Sequence, residues 1–195
     1  IASFWYLEAG FSVFLMVYTL LFGISIQNDD GVNAKAWINL GFTTFQSSEL
    51  VKIAFMITFA KHLSVLKERG LIKKFLHVAL LGVHALVPMA LCHLQGDDGA
   101  AVIFFCMFLA MSFIAGVQLR YFAGLFGALL VAAPLAWNYV LSEYQKNRFT
   151  AVYNLDNPVI ARGDGYQQYQ ARLSIGSGQF WGRGLFEGPR VESNQ

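Results

Sequence analysis

Four stretches of this chain run far enough to cross a bilayer without one Asp, Glu, Lys or Arg. They are Ala9 to Asn28, Phe75 to Gly96, Gly99 to Leu119 and Tyr121 to Ser142. A hydrocarbon core about 30 Å thick is crossed by roughly 20 apolar residues of helix. Inside lipid every backbone N–H and C=O must be paired within the segment, so such runs read as helices. They are too evenly apolar for the alternating strands of a membrane barrel. A fifth stretch, about Phe45 to Ser64, is apolar but carries Glu49, Lys52 and Lys61. Only 13% of the 195 residues are charged and 56% are hydrophobic, against about 25% charged in soluble domains. That balance excludes a disordered chain, a nucleic-acid-binding domain and an ordinary soluble enzyme. The expectation is an all-α polytopic membrane protein. Its five spans fall at about 5–26, 45–64, 75–95, 100–118 and 121–141, and a long Gly-rich loop follows over 142–195. The whole reads as a single membrane domain. Cys92 and Cys106 lie inside apolar runs, which suits neither a disulfide framework nor a metal site.

The short loops set the orientation. Leu63 to Lys74 holds Lys67, Arg69, Lys73 and Lys74, and the turn before Tyr121 holds Arg120. On the other side, Asn28 to Gly41 holds Asp29, Asp30 and one base, Lys35, while Gln95 to Gly99 holds Asp97 and Asp98 with no base. The Asp-rich loops therefore face outward, and the polar tail after the fifth span is extracytoplasmic.

Three places break the apolar pattern. The first runs from Gly31 to Gly41 and on through Phe45-Gln46-Ser47-Ser48-Glu49-Leu50-Val51-Lys52. Trp37 sits where an interfacial aromatic anchor belongs. Glu49 and Lys52 share a helix face at i, i+3, either as an ion pair at the helix end or facing a cavity. Ser47 or Ser48 is suited to cap that helix. The second is Gln95-Gly96-Asp97-Asp98-Gly99, either a plain five-residue turn or two carboxylates that bind a cation or take a proton. His84, mid-span, suits a hydrogen-bonded structural part better than a ligand's. The third is the tail, where Gly176, Gly178, Gly182 and Gly184 alternate with Gln, Arg and aromatic residues. Glycine lets backbone N–H groups approach phosphate or sugar oxygens. Arg148, Arg162, Arg172 and Arg183 supply charge suited to a pyrophosphate.

Together these segments resemble the SEDS family of polytopic membrane proteins, which includes FtsW, RodA and SpoVE. The family's G-A-x-R-W-I-x-L-G and F-Q-P-S-E-x-x-K are similar to Asn33 to Gly41 and Phe45 to Lys52. Its Q-P-D-x-G-T-A is similar to Gln95 to Ala101, and its G-Y-Q-x-x-Q-S-x-x-A-I-G-S-G-x-x-x-G-x-G-L to Gly165 to Leu185. The resemblance covers essentially the whole chain. It implies the middle of a protein of about ten spans, with two spans before this segment and three after it.

It also implies an activity. Such proteins polymerise glycan strands from lipid II at the outer face of the bacterial cytoplasmic membrane. They work beside a class B penicillin-binding protein in elongation, division or sporulation. A sugar hydroxyl attacks an anomeric carbon while undecaprenyl pyrophosphate leaves. That needs a carboxylate base and positive charge, from Arg, Lys or a divalent cation, at the leaving group. The resemblance makes Asp97, Asp156 and Asp164 the catalytic candidates. It makes Trp37, Glu49, Lys52, Arg148, Tyr166, Gln167, Gln170, Gly176, Gly178 and Arg183 the substrate-binding candidates. Membrane lipids and lipid II are the expected contacts, and nucleic acid is not. The family's N-P-x-x-D-P-x-G-x-G-Y-Q puts its base Asp where this chain has Ile160 or Pro158, depending on the end counted from. Asp156 and Asp164 are the nearest carboxylates. Two other readings remain: a silent scaffold for a penicillin-binding protein, and a lipid flippase or transporter.

Overall fold

The computed structural model describes residues 4–25, 35–139, 141, 143–163, 165–185 and 187–188. Helix α1 is Trp5–Phe22, and strands β1 (Trp37–Asn39) and β2 (Thr44–Gln46) form an antiparallel hairpin. Helices α2 (Ser47–Glu68), α3 (Phe75–Leu94), α4 (Asp98–Ala115) and α5 (Leu119–Tyr139) follow, then the shorter α6 (Glu143–Ala151), α7 (Pro158–Arg162) and α8 (Tyr166–Gly178). The chain divides into two compact units, Ile1–Phe126 and Gly127–Gln195.

Among the described residues, α1, α3, α4 and α5 are long and apolar enough to cross a membrane. The expected segment at about 45–64 lies in a continuous 22-residue helix, α2, which is not one of the four long and apolar enough to cross a membrane, because Glu49, Lys52 and Lys61 lower its apolarity. Helix α1 stops at Phe22, short of the expected residue 26. Gly23 breaks it, and the Ile24 amide then donates to the Trp37 carbonyl at 2.8 Å. The tail also differs from the expected loop. Helices α6, α7 and α8 occupy much of it. Asn157 caps α7 through the Val159 amide, and Pro158 opens the helix, where its missing N–H costs nothing.

In the first unit α1 packs on α2 and α3, and α4 packs on α2 and α3. The core is aromatic. Phe55 stands edge-on to Phe104 at 5.3 Å and stacks on Phe59 at 5.0 Å, and Phe59 and Phe104 are fully buried. The outward faces carry large apolar side chains such as Phe14, Phe22 and Ile114, the arrangement a helix needs where its solvent is lipid. Polar groups gather at the two ends of this unit. At one end lie the hairpin, the start of α2 and the α3–α4 turn. At the other lies the basic segment after α2, where the Tyr121 hydroxyl donates to the Lys73 carbonyl at 2.8 Å and Arg120 lies over the Tyr121 ring.

Phe104→Ala is expected to lower unfolding stability in detergent by about 3 kcal/mol, because it empties a packed site. Ile114→Ala, at a position 80% exposed, should leave the denaturation midpoint almost unchanged.

Candidate functional site

Asp97 is the most connected side chain at the hairpin end of the first unit. Its Oδ2 accepts from Gln46 Nε2 at 2.7 Å and from Ser48 Oγ at 3.3 Å, and its Oδ1 accepts from the Ala100 amide at 3.0 Å. It thereby caps α4 and fastens that cap to the start of α2. The turn holding it is shorter than expected, only Gln95 to Asp97, because Asp98 already begins α4. Gly96 makes it possible. Its φ is +78°. The Asp97 amide donates to the Cys92 carbonyl and the Gly96 amide to that of His93, the left-handed ending typical of helix C-termini. A proline, which the SEDS pattern has here, cannot take that φ.

The two adjacent carboxylates do not act as a pair. Asp98 Oδ1 lies 2.6 Å from His93 Nδ1, while Asp97 turns toward α2. Among the described residues no group of three or more His, Cys, Asp or Glu side chains is arranged to hold a metal ion. Glu49 and Lys52 form an ion pair at 2.8 Å, with Lys52 17% exposed and Glu49 59%. Trp37 lies partly buried in β1 opposite Gln46. Ser47 and Ser48 are not caps, contrary to the sequence expectation. Gln46 holds the cap position without a side-chain bond, and both serines are fully buried inside the first turn. Gln46 and Gln95 are site residues that the motifs contain without pointing to them. Gln95, almost fully buried, donates to the Met16 carbonyl at 2.8 Å and so ties the end of α3 to α1.

In the second unit Asp156 accepts from Arg172 Nη1 at 3.1 Å, and both side chains are largely exposed. Tyr166, Gln167 and Gln170 lie on α8, the first two exposed. Gly176 and Gly178 also fall inside α8 and not in an open loop, so their amides are not a free phosphate cradle. Gly182 and Gly184 lie in the turns that follow, and Arg183 between them is exposed. Asp164 and the side chain of Arg148 lie outside the described residues.

A family model described as a cell cycle protein, covering FtsW, RodA and SpoVE, matches residues 3–191. This chain belongs to the FtsW/RodA/SpoVE family. A Nitrosomonas europaea protein named "Probable peptidoglycan glycosyltransferase FtsW" is 31% identical over 90% of this chain and 43% of its own length. The Treponema pallidum "Peptidoglycan glycosyltransferase RodA" is 37% identical over 70% of this chain and 30% of its own. The chain thus spans less than half the length of these curated relatives. A solved structure described as "Structural coordination of polymerization and crosslinking by a peptidoglycan synthase complex" matches with a TM-score of 0.71 and 28% identity. That match covers 92% of this chain and 50% of the other. Family membership and the four apolar helices make this an integral membrane protein.

Asp97→Ala removes the cap of α4 and the acceptor for Gln46 and Ser48. Loss of the cap alone costs about 1 kcal/mol. Amide exchange at Ala100 should quicken, while the core amides of α3 keep their protection. Gly96→Ala should cost about 1 kcal/mol through left-handed strain, read as a lower melting temperature.

Proposed function

We propose that the protein containing this chain polymerises glycan strands from lipid II at the outer face of the bacterial cytoplasmic membrane, beside a penicillin-binding protein that cross-links them. The observation that carries this reading is the family match over residues 3–191, with relatives named peptidoglycan glycosyltransferases along most of the chain. The charges support the orientation. Lys67, Arg69, Lys73 and Lys74 lie at the end of the first unit opposite Asp97, and basic loops stay on the cytoplasmic side. The hairpin, Trp37, the Glu49–Lys52 pair and the Asp97 cluster then face outward, where the substrate's disaccharide is displayed. In this reading α2 is a fifth span whose polar residues face protein.

In this reading the carboxylates divide between two tasks. Asp97 already accepts three hydrogen bonds, so it holds the outer ends of α2 and α4 together and leaves the base to the segment after α5. There Asp156 and Asp164 are the candidates for the base, and Arg148 and Arg183 are the candidates for meeting a pyrophosphate. The Asp156–Arg172 ion pair, with Ile160 or Pro158 where the family pattern has its Asp, favours a second reading: a silent scaffold that recruits the cross-linking enzyme.

Polymerisation of lipid II by the purified full-length protein, with and without its penicillin-binding partner, tests both readings. Loss of the general base should lower the rate about 100-fold or more. That loss is expected in either Asp156→Ala or Asp164→Ala and not in both. Asp97→Ala should lower activity together with stability. Folded wild-type protein that makes no product in either condition would leave the scaffold reading standing.

A further inference from the structure

A histidine pair lies in the seam between α2 and α3, away from the Asp97 cluster and unused by the proposed reaction. His62 Nδ1 and His84 Nδ1 are 3.2 Å apart. The ring centres are 5.4 Å apart, which exceeds the nitrogen separation by only about two ring radii. Both nitrogens therefore lie close to the line joining the rings. That is the collinear geometry of an N–H···N hydrogen bond. Two lone pairs, or two N–H groups, could not face each other at this distance.

The direction of the bond can be worked out. Thr58 Oγ1 donates its one hydrogen to the Phe55 carbonyl at 3.2 Å. It can therefore only accept from His84 Nε2, 3.3 Å away. A neutral His84 protonated on Nε2 offers a lone pair at Nδ1, so His62 Nδ1 carries the hydrogen between the rings. The chain runs one way, from His62 to His84 to Thr58 to the Phe55 carbonyl, and leaves His62 Nε2 as its unprotonated nitrogen. Phe55 and Phe59 stand edge-on against the His84 ring at 5.7 and 5.4 Å and fix its plane. Thr58 and His84 also line a cavity of about 240 Å³ bordered by Trp5, Ser12 and Pro88.

We propose that His62 and His84 form a one-proton binding site built into the α2–α3 seam. An added proton enters at His62 Nε2 and is shared along the chain. His84 stays neutral, because a hydrogen on its Nδ1 would face the one on His62. His77, seven residues before His84 on α3, acts on His62 electrostatically. Lys61 adjoins His62 on α2, the charged residue of α1 is Glu8, and that of α4, Asp98, sits at the other end beside His93. Ionisable groups within a membrane domain are placed where they bind or pass ions and protons, and this pair gives the domain a place to hold one.

Long-range ¹H–¹⁵N spectra of full-length protein with ¹⁵N-labelled histidine, taken across about pH 5 to 8, test the proposal. The expected result is an Nδ1–H tautomer for His62, an Nε2–H tautomer for His84, and uptake of one proton per pair at His62 Nε2 on acidification. Thr58→Val, close in shape, should free His84 to populate both tautomers. His84→Gln should return His62 to a mixture as well. An Nδ1–H tautomer at His84, uptake of two protons, or no uptake in that range would overturn the proposal. So would one equivalent of Zn²⁺ displacing the shared proton at fixed pH, since that would make the pair a metal site.

Discussion

One residue closes one helix and opens the next. The amide of Asp97 ends α3 through the Cys92 carbonyl, and its carboxylate caps α4 through the Ala100 amide. The same carboxylate then accepts from Gln46 and Ser48 at the start of α2. Helix ends carry orphan amides and carbonyls, and near lipid those groups have little water to turn to. A three-residue turn that satisfies both ends and bonds to a third element has no slack. Every other contact at this end, the hairpin pairing of Trp37 with Gln46 included, inherits its position from it.

Beneath that end the first unit is held by different physics. Phe55, Phe59, Phe104 and Phe108 meet edge-on or stacked across α2 and α4. Lipid tails are as apolar as these rings, so shape and edge-to-face geometry hold the helices together more than exclusion from water does. The His62–His84–Thr58 chain is inserted into this aromatic layer. Pro88, one turn after His84, supplies no N–H to the His84 carbonyl, so the helix is least self-sufficient where its polar side chain is most tightly bonded. Polar pairing at the ends and aromatic packing in the middle make separate demands on the sequence. Both are visible along α2, which carries Ser48 and Glu49 at its start and Phe55 and Phe59 further on.

The apolar runs made α3, α4 and α5 legible to within a few residues, because lipid permits one secondary structure for such runs. The end of α1 was less legible, since Ile24 and Trp37 pair across a segment whose return could not be seen locally. Ser47 and Ser48 read as caps because serine prefers that position. Burial of both serines, with Ser48 donating to Asp97, overrode the preference, and the spacing of two motifs about fifty residues apart gave no distance between them. The helices of the tail were less legible for a compositional reason. Gly176 and Gly178 argue against helix by propensity, yet Tyr166 to Ser174 supplies enough helix-compatible residues to carry α8 through both.

Ile160 and Pro158 are the two positions at which the family pattern would put its Asp, and both lie in α7. Ile160 sits in α7, and its carbonyl accepts from the amides of Gly163 and Gly165. A Cβ on Gly165 would fall 2.9 Å from Leu155 Cδ2, 3.0 Å from the Ile160 carbonyl oxygen and 3.2 Å from Ile160 Cγ2. Glycine at 165 and the apolar side chains at 155 and 160 therefore form one close-packed turn. Asp156, just before the cap of α7, stands at one edge and is held by Arg172. Breaking that exposed pair costs little, so it constrains the carboxylate only weakly.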